Sequence, residues 1–303
     1  MIQRNNNLSI LPFYPNSKRD EMNHRRPYAY GAVYPLYTPM GSVPPFQILI
    51  PHTSKVIESC VLYDAAQLES NMAVGTDITD KLESSGLSKQ DFASDGYDVI
   101  VYSAIVPMNI TTKEGQHYMV LTLQDEGTQA YERYISDIFT VVADVSGMIQ
   151  VQWYDQSDLI MEAGRIVYSG DYKNRLWLPT LLGKPEYDFN EEGETRDGYF
   201  FAEKMISEKR YKCIFLAPEY LCDVMRFIRL SDVVLVTDNY GNNYICDTFL
   251  ITPKWQDQGD LASVEIEFTC DTVAKKIGCG YQVVMNGDFN DDFNNDFDIE
   301  DNN

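Results

Sequence analysis

Three kinds of residue in this chain could do chemistry, namely histidines, cysteines and clustered carboxylates, and each is sparse or poorly spaced. The histidines are His24, His52 and His117. No two stand at the i, i+4 spacing that puts two ligands on one helix face, and no H-E-x-x-H is present. The cysteines are Cys60, Cys213, Cys222, Cys246, Cys270 and Cys279. None forms a C-x-x-C pair and their gaps fit no zinc ligand set. The expectation is buried free thiols rather than disulfides or metal ligands, with Cys246 and Cys270 inside strands. Carboxylates deserve a separate hearing, because a glycosidase needs only two, brought together by folding. Glu186, Asp188, Glu191, Glu192 and Glu194, with Trp177 near them in sequence, are the candidates for lining a sugar groove. With 46 acidic residues in the chain, such a grouping arises easily by chance. There is no P-loop, no dinucleotide glycine fingerprint and no G-x-S-x-G elbow. No catalytic residue, metal set or cofactor is assigned, and the chain reads as non-enzymatic.

Charge narrows the partners. The formal net charge is −22, and seven of those acids lie after Asn286 with no base among them, leaving −15 for the body. A surface of that sign repels phosphate backbones and anionic lipid, so nucleic-acid and membrane partners are disfavoured. No apolar run approaches the roughly 20 residues that cross a bilayer. The start, MIQRNNNLSILPFYPN, has no signal-peptide pattern, so synthesis in the cytoplasm is expected. The 21 tyrosines and 14 phenylalanines suit sheets and protein interfaces equally.

The elements that would position these residues are mostly strands. At 303 residues, two domains are the expectation. Residues 1–28, with Lys18, Arg19, His24, Arg25 and Arg26, read as an arm, either solvated or laid across a neighbouring acidic subunit. Residues 29–145 hold six or seven β-branched and aromatic runs, among them 46–50, 56–64, 96–106, 117–125 and 133–144. That is the size of an antiparallel sandwich. In 117–125, Met119, Leu121 and Leu123 would share a buried face, and 125–128 is a hairpin-like break. Asp77 to Gly86 fits a turn of helix.

A second β-rich domain spans 146–280. Strands are expected at 148–155, 164–170 and 175–182. The stretch 183–198 has no periodicity and many acids, so it reads as a long exposed loop, and such loops often carry function. Tyr187, Phe189, Glu191, Glu192 and Trp177 are its candidate contact residues. Two strands meeting near Ser207 to Arg210 follow. A helix near 218–229 has Leu221, Val224, Met225 and Ile228 on one face. Residues 231–238 and 244–251 read as a hairpin around NYGNN. In 263–273, Val264, Ile266 and Phe268 alternate with Glu265, Glu267 and Thr269.

Residues 281–303 form an acidic Phe/Asp repeat. Phe289, Phe293 and Phe297 stand four apart, each preceded by Asp288, Asp292 or Asp296. The composition fits a solvated tail. The spacing also fits a segment that orders on docking into a partner's groove. A cation site lacks the EF-hand order and its sixth-position glycine.

The quoted runs carry resemblances. The Tyr near the start of 117–125 resembles the penultimate strand of an immunoglobulin- or fibronectin-like sandwich, without the inter-sheet disulfide of antibody domains. LGKPEYDFNEEGETRDGYFFAEKMISEKRYKCIFLAPEYLCDVMRFIRLSDVVLVTD and CDTFLITPKWQDQGDLASVEIEFTCDTVAKKIG resemble proteins of tailed phages and prophages of anaerobic gut bacteria. YAYGAVYPLYTP with PFQILIP, SDIFTVV and DFNDDFNNDF resemble the same group. This implies a virion structural protein of the tail or baseplate, bound to other virion proteins and to copies of itself. The strand–strand–helix–hairpin order is similar to barrel-like tail-tube and distal-tail subunits. The alternative is a carbohydrate- or receptor-binding module recognising a glycan on the host surface.

Overall fold

The computed structural model describes residues 10–16, 36–67, 74–92, 96–104, 110, 113–156, 161–163, 166–168, 172–255 and 261–276. The expected arm at 1–28 lies outside them except for 10–16, and the Phe/Asp repeat at 281–303 lies wholly outside.

The chain is mostly β, and one of its sheets curls into a half-barrel. β1 (Phe13–Pro15), β2 (Tyr37–Pro39), β3 (Phe46–Pro51), β4 (Lys55–Asp64) and β5 (Thr76–Asp77) precede α1 (Thr79–Ser84). Then come β6 (Ser88–Phe92), β7 (Tyr97–Tyr102), β8 (Gly115–Asp125), β9 (Tyr131–Ser136) and β10 (Phe139–Val142). β11 (Ile149–Tyr154), the small pair β12 (Met161–Ala163) and β13 (Ile166–Tyr168), and β14 (Asn174–Leu178) follow. The remainder is β15 (Glu186–Arg196), β16 (Tyr199–Pro218), α2 (Glu219–Met225), a 3-10 turn at Ile228–Leu230, β17 (Val233–Thr237), β18 (Asn243–Ile245), β19 (Thr248–Lys254) and β20 (Leu261–Lys276). No helix among the described residues is long and apolar enough to cross a membrane.

The largest sheet has eleven strands, in the order β1-β9-β8-β10-β2-β14-β11-β17-β18, with β4 on β8 and β5 on β4. It runs through both of the expected units, because β2 bonds to β10 on one side and to β14 on the other. The β10–β2 pair is parallel. The three-stranded sheet β3-β7-β6 lends Phe46, Ile48, Ile50, Ile100 and Tyr102 to the same apolar core that holds Met119, Leu121 and Leu123 of β8. Phe46 bridges the layers, with its ring 4.9 Å from Phe13 and 5.5 Å from Tyr102.

Several sequence expectations change. The run 133–144 is two strands, β9 ending at buried Ser136 and β10 starting at Phe139, with buried Asp137 between them. There the Ser136 hydroxyl accepts the Met119 N–H and donates to the Asp137 carbonyl. The run 244–251 is also two: β18 closes a short hairpin with β17, and β19 crosses to β20. Cys246 falls between them, outside either strand. The two strands expected to meet near Ser207 to Arg210 are one strand of 20 residues, β16. It does not turn there, and a bulge against β20 between Ser207 and Lys209 absorbs the local polarity. The loop expected at 183–198 is instead a strand over most of its length, β15.

α2 rests on β16 and β20, with Leu221, Val224 and Met225 buried, and Ile228 follows in the 3-10 turn. The apolar face read from i, i+3, i+4 and i+7 is therefore the packed one. Cys60, Cys213, Cys222 and Cys270 are buried free thiols and Cys246 is partly buried.

Candidate interaction surface

β15, β16 and β20 belong to a four-stranded sheet in the order β15-β16-β20-β19. Its root is ordinary core. Tyr211, Cys213, Phe215 and Ala217 of β16 and Val264, Ile266 and Phe268 of β20 are buried on one face, with Phe249 of β19 beside Phe268. Beyond Tyr211 the core stops but the strands continue. Among the described side chains of Glu186–Arg196, residues 199–210 and residues 271–276, none is buried. The three strands thus form an arm. Twelve residues of strand span roughly 40 Å.

Local chemistry closes the arm's tip. Asp197 and Gly198 have φ of 52° and 83°, and this double positive is the geometry of the tight hairpin turn that Asp-Gly favours. Gly193 sits at a bulge between β15 and β16, where a Cβ would run into the Phe201 carbonyl oxygen. The Asp-Gly pair was visible in the sequence as a hairpin signal, and it marks the loop reading of 183–198 as the error.

The two faces of the arm differ, as the register dictates. On one, Lys212 lies 3.3 Å from Glu186 and 3.6 Å from Glu267, and Arg210 pairs with Asp188 and, at 3.2 Å, with Glu267. Lys204 lies 3.4 Å from Glu192. The Glu186 and Glu267 carboxylates hold the Lys212 ammonium above its usual pKa. This face is a ladder of ion pairs, so three of the acids that made 183–198 look loop-like, Glu186, Asp188 and Glu192, are neutralised across strands.

The opposite face has three rows. Tyr187 lies beside Lys209 and Cys270, Phe189 beside Ser207 and Val273, and Glu191 beside Met205 and Lys275. Tyr187, Phe189 and Val273 are 59%, 77% and 61% exposed. Lys209 is tied to Asp271 at 2.9 Å, and that carboxylate raises its pKa. At the tip Tyr199, Phe200 and Phe201 are also exposed, three aromatics that sequence reasoning passed over. Nearer the root, Ile214, Leu216 and Leu261 are exposed on the ion-pair side of the same sheet.

The structure therefore brings Tyr187, Phe189, Glu191 and Glu192 together on one element, with Glu192 on the ion-pair face. It does not bring Trp177 to them. Trp177 lies in β14, paired with Gln150 and Tyr37 in the eleven-stranded sheet. The candidates Phe289, Phe293, Phe297, Asp288, Asp292 and Asp296 lie outside the described residues.

Among the described residues, one titratable cluster has metal-ligand geometry. His52, Asp91 and Asp98 bring one donor atom each within 4.8 Å of one another. His52 Nδ1 is 2.8 Å from Asp98 Oδ1 and 3.3 Å from Asp91. Lys89 already supplies a cation there. Its ammonium lies 2.9 Å from Asp98 Oδ2 and donates to the carbonyls of Thr53 at 2.6 Å and Lys55 at 2.8 Å. Burial works to raise the Asp98 pKa, but the bonds from His52, Lys89 and the Thr53 N–H prevail and hold it low. The bond to Asp98 raises that of His52. The cluster is a clasp holding β6 and β7 to the start of β4.

No protein-family model matches the chain, and no curated protein matches it.

Proposed function

We propose that this chain is a non-enzymatic assembly protein of a phage virion, a tail or baseplate component whose copies join into a ring or connector. The arm carries this reading. A chain that folds a three-stranded ribbon away from its core and leaves Tyr187, Phe189 and Val273 exposed along one face has a surface suited to being covered. The same sheet exposes Ile214, Leu216 and Leu261 on its opposite face, nearer the root. Two unlike apolar surfaces facing opposite ways favour head-to-tail contacts, which close into rings when the rotation permits. The virion assignment rests on the sequence resemblance alone.

The test uses two variants, Tyr187→Ser with Phe189→Ser on the arm, and Ile214→Asp with Leu216→Asp on the back. Sedimentation over a concentration series should show the native chain associating and each variant alone remaining monomeric. An equimolar mixture of the two should stop at a dimer, because only one productive contact remains. A native chain that stays monomeric throughout would refute the reading, and its retention on a glycan array would point to host-surface recognition.

A further inference from the structure

We propose that the acidic Phe/Asp segment of this chain, residues 288–298, covers the apolar face of its own arm in the unassembled molecule. The inference rests on the assembly reading and adds what occupies the surface before a neighbour does. Three observations converge on this occupant.

The first is reach. The last described residue, Lys276, pairs with Lys204 on the arm itself, and Val273 lies three residues back along the same strand. The tether to the segment therefore starts about 10 Å from the middle row of the apolar face. The residues between Lys276 and Asp288 extend up to about 40 Å, several times what is needed. A tether this short holds the segment at an effective concentration in the millimolar range.

The second is spacing. Phe289, Phe293 and Phe297 stand four apart. Four residues of helix rise about 6 Å, and two residues of strand about 6.6 Å. Ordered as a helix on this face, the segment would bring its three rings into near register with the rows that begin at Tyr187, Phe189 and Glu191.

The third is charge. The seven acids after Asn286 have no base among them, and the apolar face carries Lys275 as well as Lys209, the latter already paired with Asp271 at 2.9 Å. Asp288, Asp292 and Asp296, each one residue before a phenylalanine, would flank the stripe on the side where those ammonium groups stand. On the opposite face Lys212, Arg210 and Lys204 are paired with Glu186, Asp188 and Glu192, as Lys209 is with Asp271, so Lys275 is the ammonium group these acids would meet.

The experiment uses the full chain carrying Phe289→Ser, Phe293→Ser and Phe297→Ser, and a fluorescent synthetic peptide of residues 286–303. The peptide should bind this variant, bind the native chain more weakly because the resident segment competes, and lose affinity as salt is raised. Adding Tyr187→Ser and Phe189→Ser to the variant should weaken binding by about ten-fold or more. The triple substitution should also move self-association to lower concentration. A peptide that fails to bind, or binds indifferently to Tyr187 and Phe189, overturns the proposal. So does a triple variant with reduced self-association, since that would make the segment a link between copies. Peptide binding to a chain that never associates would leave the cover standing and remove the assembly reading. Association through the arm without peptide binding would do the reverse.

Discussion

Asp98→Asn is the substitution whose effect follows most directly from geometry. The carboxylate is fully buried yet receives hydrogen bonds from His52 Nδ1 at 2.8 Å, the Thr53 N–H at 3.1 Å and Lys89 Nζ at 2.9 Å. Asparagine fits the same space and still accepts from Thr53, but it has no charge to offer the other two. A hydrogen bond to a charged group contributes about 1.5–3 kcal/mol, and an uncompensated buried charge costs more. Two features moderate the loss. Lys89 keeps the carbonyls of Thr53 and Lys55, and the His52 side chain is 44% exposed, so its share is screened by solvent. The expected cost is about 2–3 kcal/mol, dominated by Lys89. For a chain of this size that is a fall in Tm of roughly 4–12 °C.

The pH dependence sharpens the test. His52 is raised in the folded chain, so its contribution is complete below the ordinary histidine pKa of about 6.5 and is lost as pH climbs through the folded value. Asp98 is lowered, so its contribution is complete above the ordinary carboxylate value of about 3.9 and is lost as pH falls through the folded one. The difference between native and variant chains should therefore peak at mildly acidic pH and narrow on both sides. Urea unfolding across that range reads it directly. A Tm change under about 1 °C would mean that the clasp does not bear on folding, and a difference independent of pH would mean that the shifted ionisations of His52 and Asp98 do not contribute to it.

Other outcomes follow from single residues. Gly193→Ala should loosen the outer arm, because the added Cβ meets the Phe201 carbonyl, and amide exchange should quicken at 187–206 while the core stays protected. Equal protection in both chains would mean that the bulge tolerates a side chain. Asp155 is 4% exposed, its Oδ2 has no hydrogen-bond partner among the described residues, and burial raises its pKa. The sign is opposite to that of Asp98: ionising Asp155 costs the folded state, so stability falls as pH rises through its folded pKa. Asp155→Asn should thus raise Tm at neutral pH by about 1–3 °C and lose that gain in acid, and a lower Tm at neutral pH would count against it. Burial pushes the Cys213 and Cys246 thiols up to about 12 and Cys222 to about 11. Alkylation at pH 8 followed by peptide mapping should find all three slow in the native chain and fast in urea. Rapid native labelling of any one would show its segment opening.

What the sequence disclosed was whatever borders the core. Met119, Leu121 and Leu123 alternate because one side of β8 packs inward, and all three are buried. Val264, Ile266 and Phe268 do the same in β20. Asp125 marks the break after β8, accepting the N–H groups of Gly127 and Thr128, which close the turn to β9. Where no side of an element packs inward, periodicity vanishes. β15 is solvated on both faces and its acids depend on Lys204, Arg210 and Lys212 of the next strand, so nothing within 186–196 distinguishes it from a loop. Pairing distant in sequence is equally silent. Nothing near Tyr37 announces Trp177 as its partner, and nothing near Asp98 announces Lys89 and His52.

The arm also shows why a surface of this kind is not there for stability. Its ion pairs are partly solvated, and such pairs contribute about 0–1 kcal/mol each. Fixing each residue's backbone costs about 1–2 kcal/mol, and a narrow ribbon without an apolar cover is marginal in water. Backbone pairing along β16 and the constraint at Gly193 hold the ribbon together, but Tyr187, Phe189 and Val273 take almost no part, since they bury little of themselves. Replacing them with serine would leave the isolated fold nearly unchanged. Side chains that large on a strand face gain their favourable transfer energy only when another surface arrives. Their position therefore fits the two contacts proposed for this face, with residues 288–298 and then with a neighbouring copy.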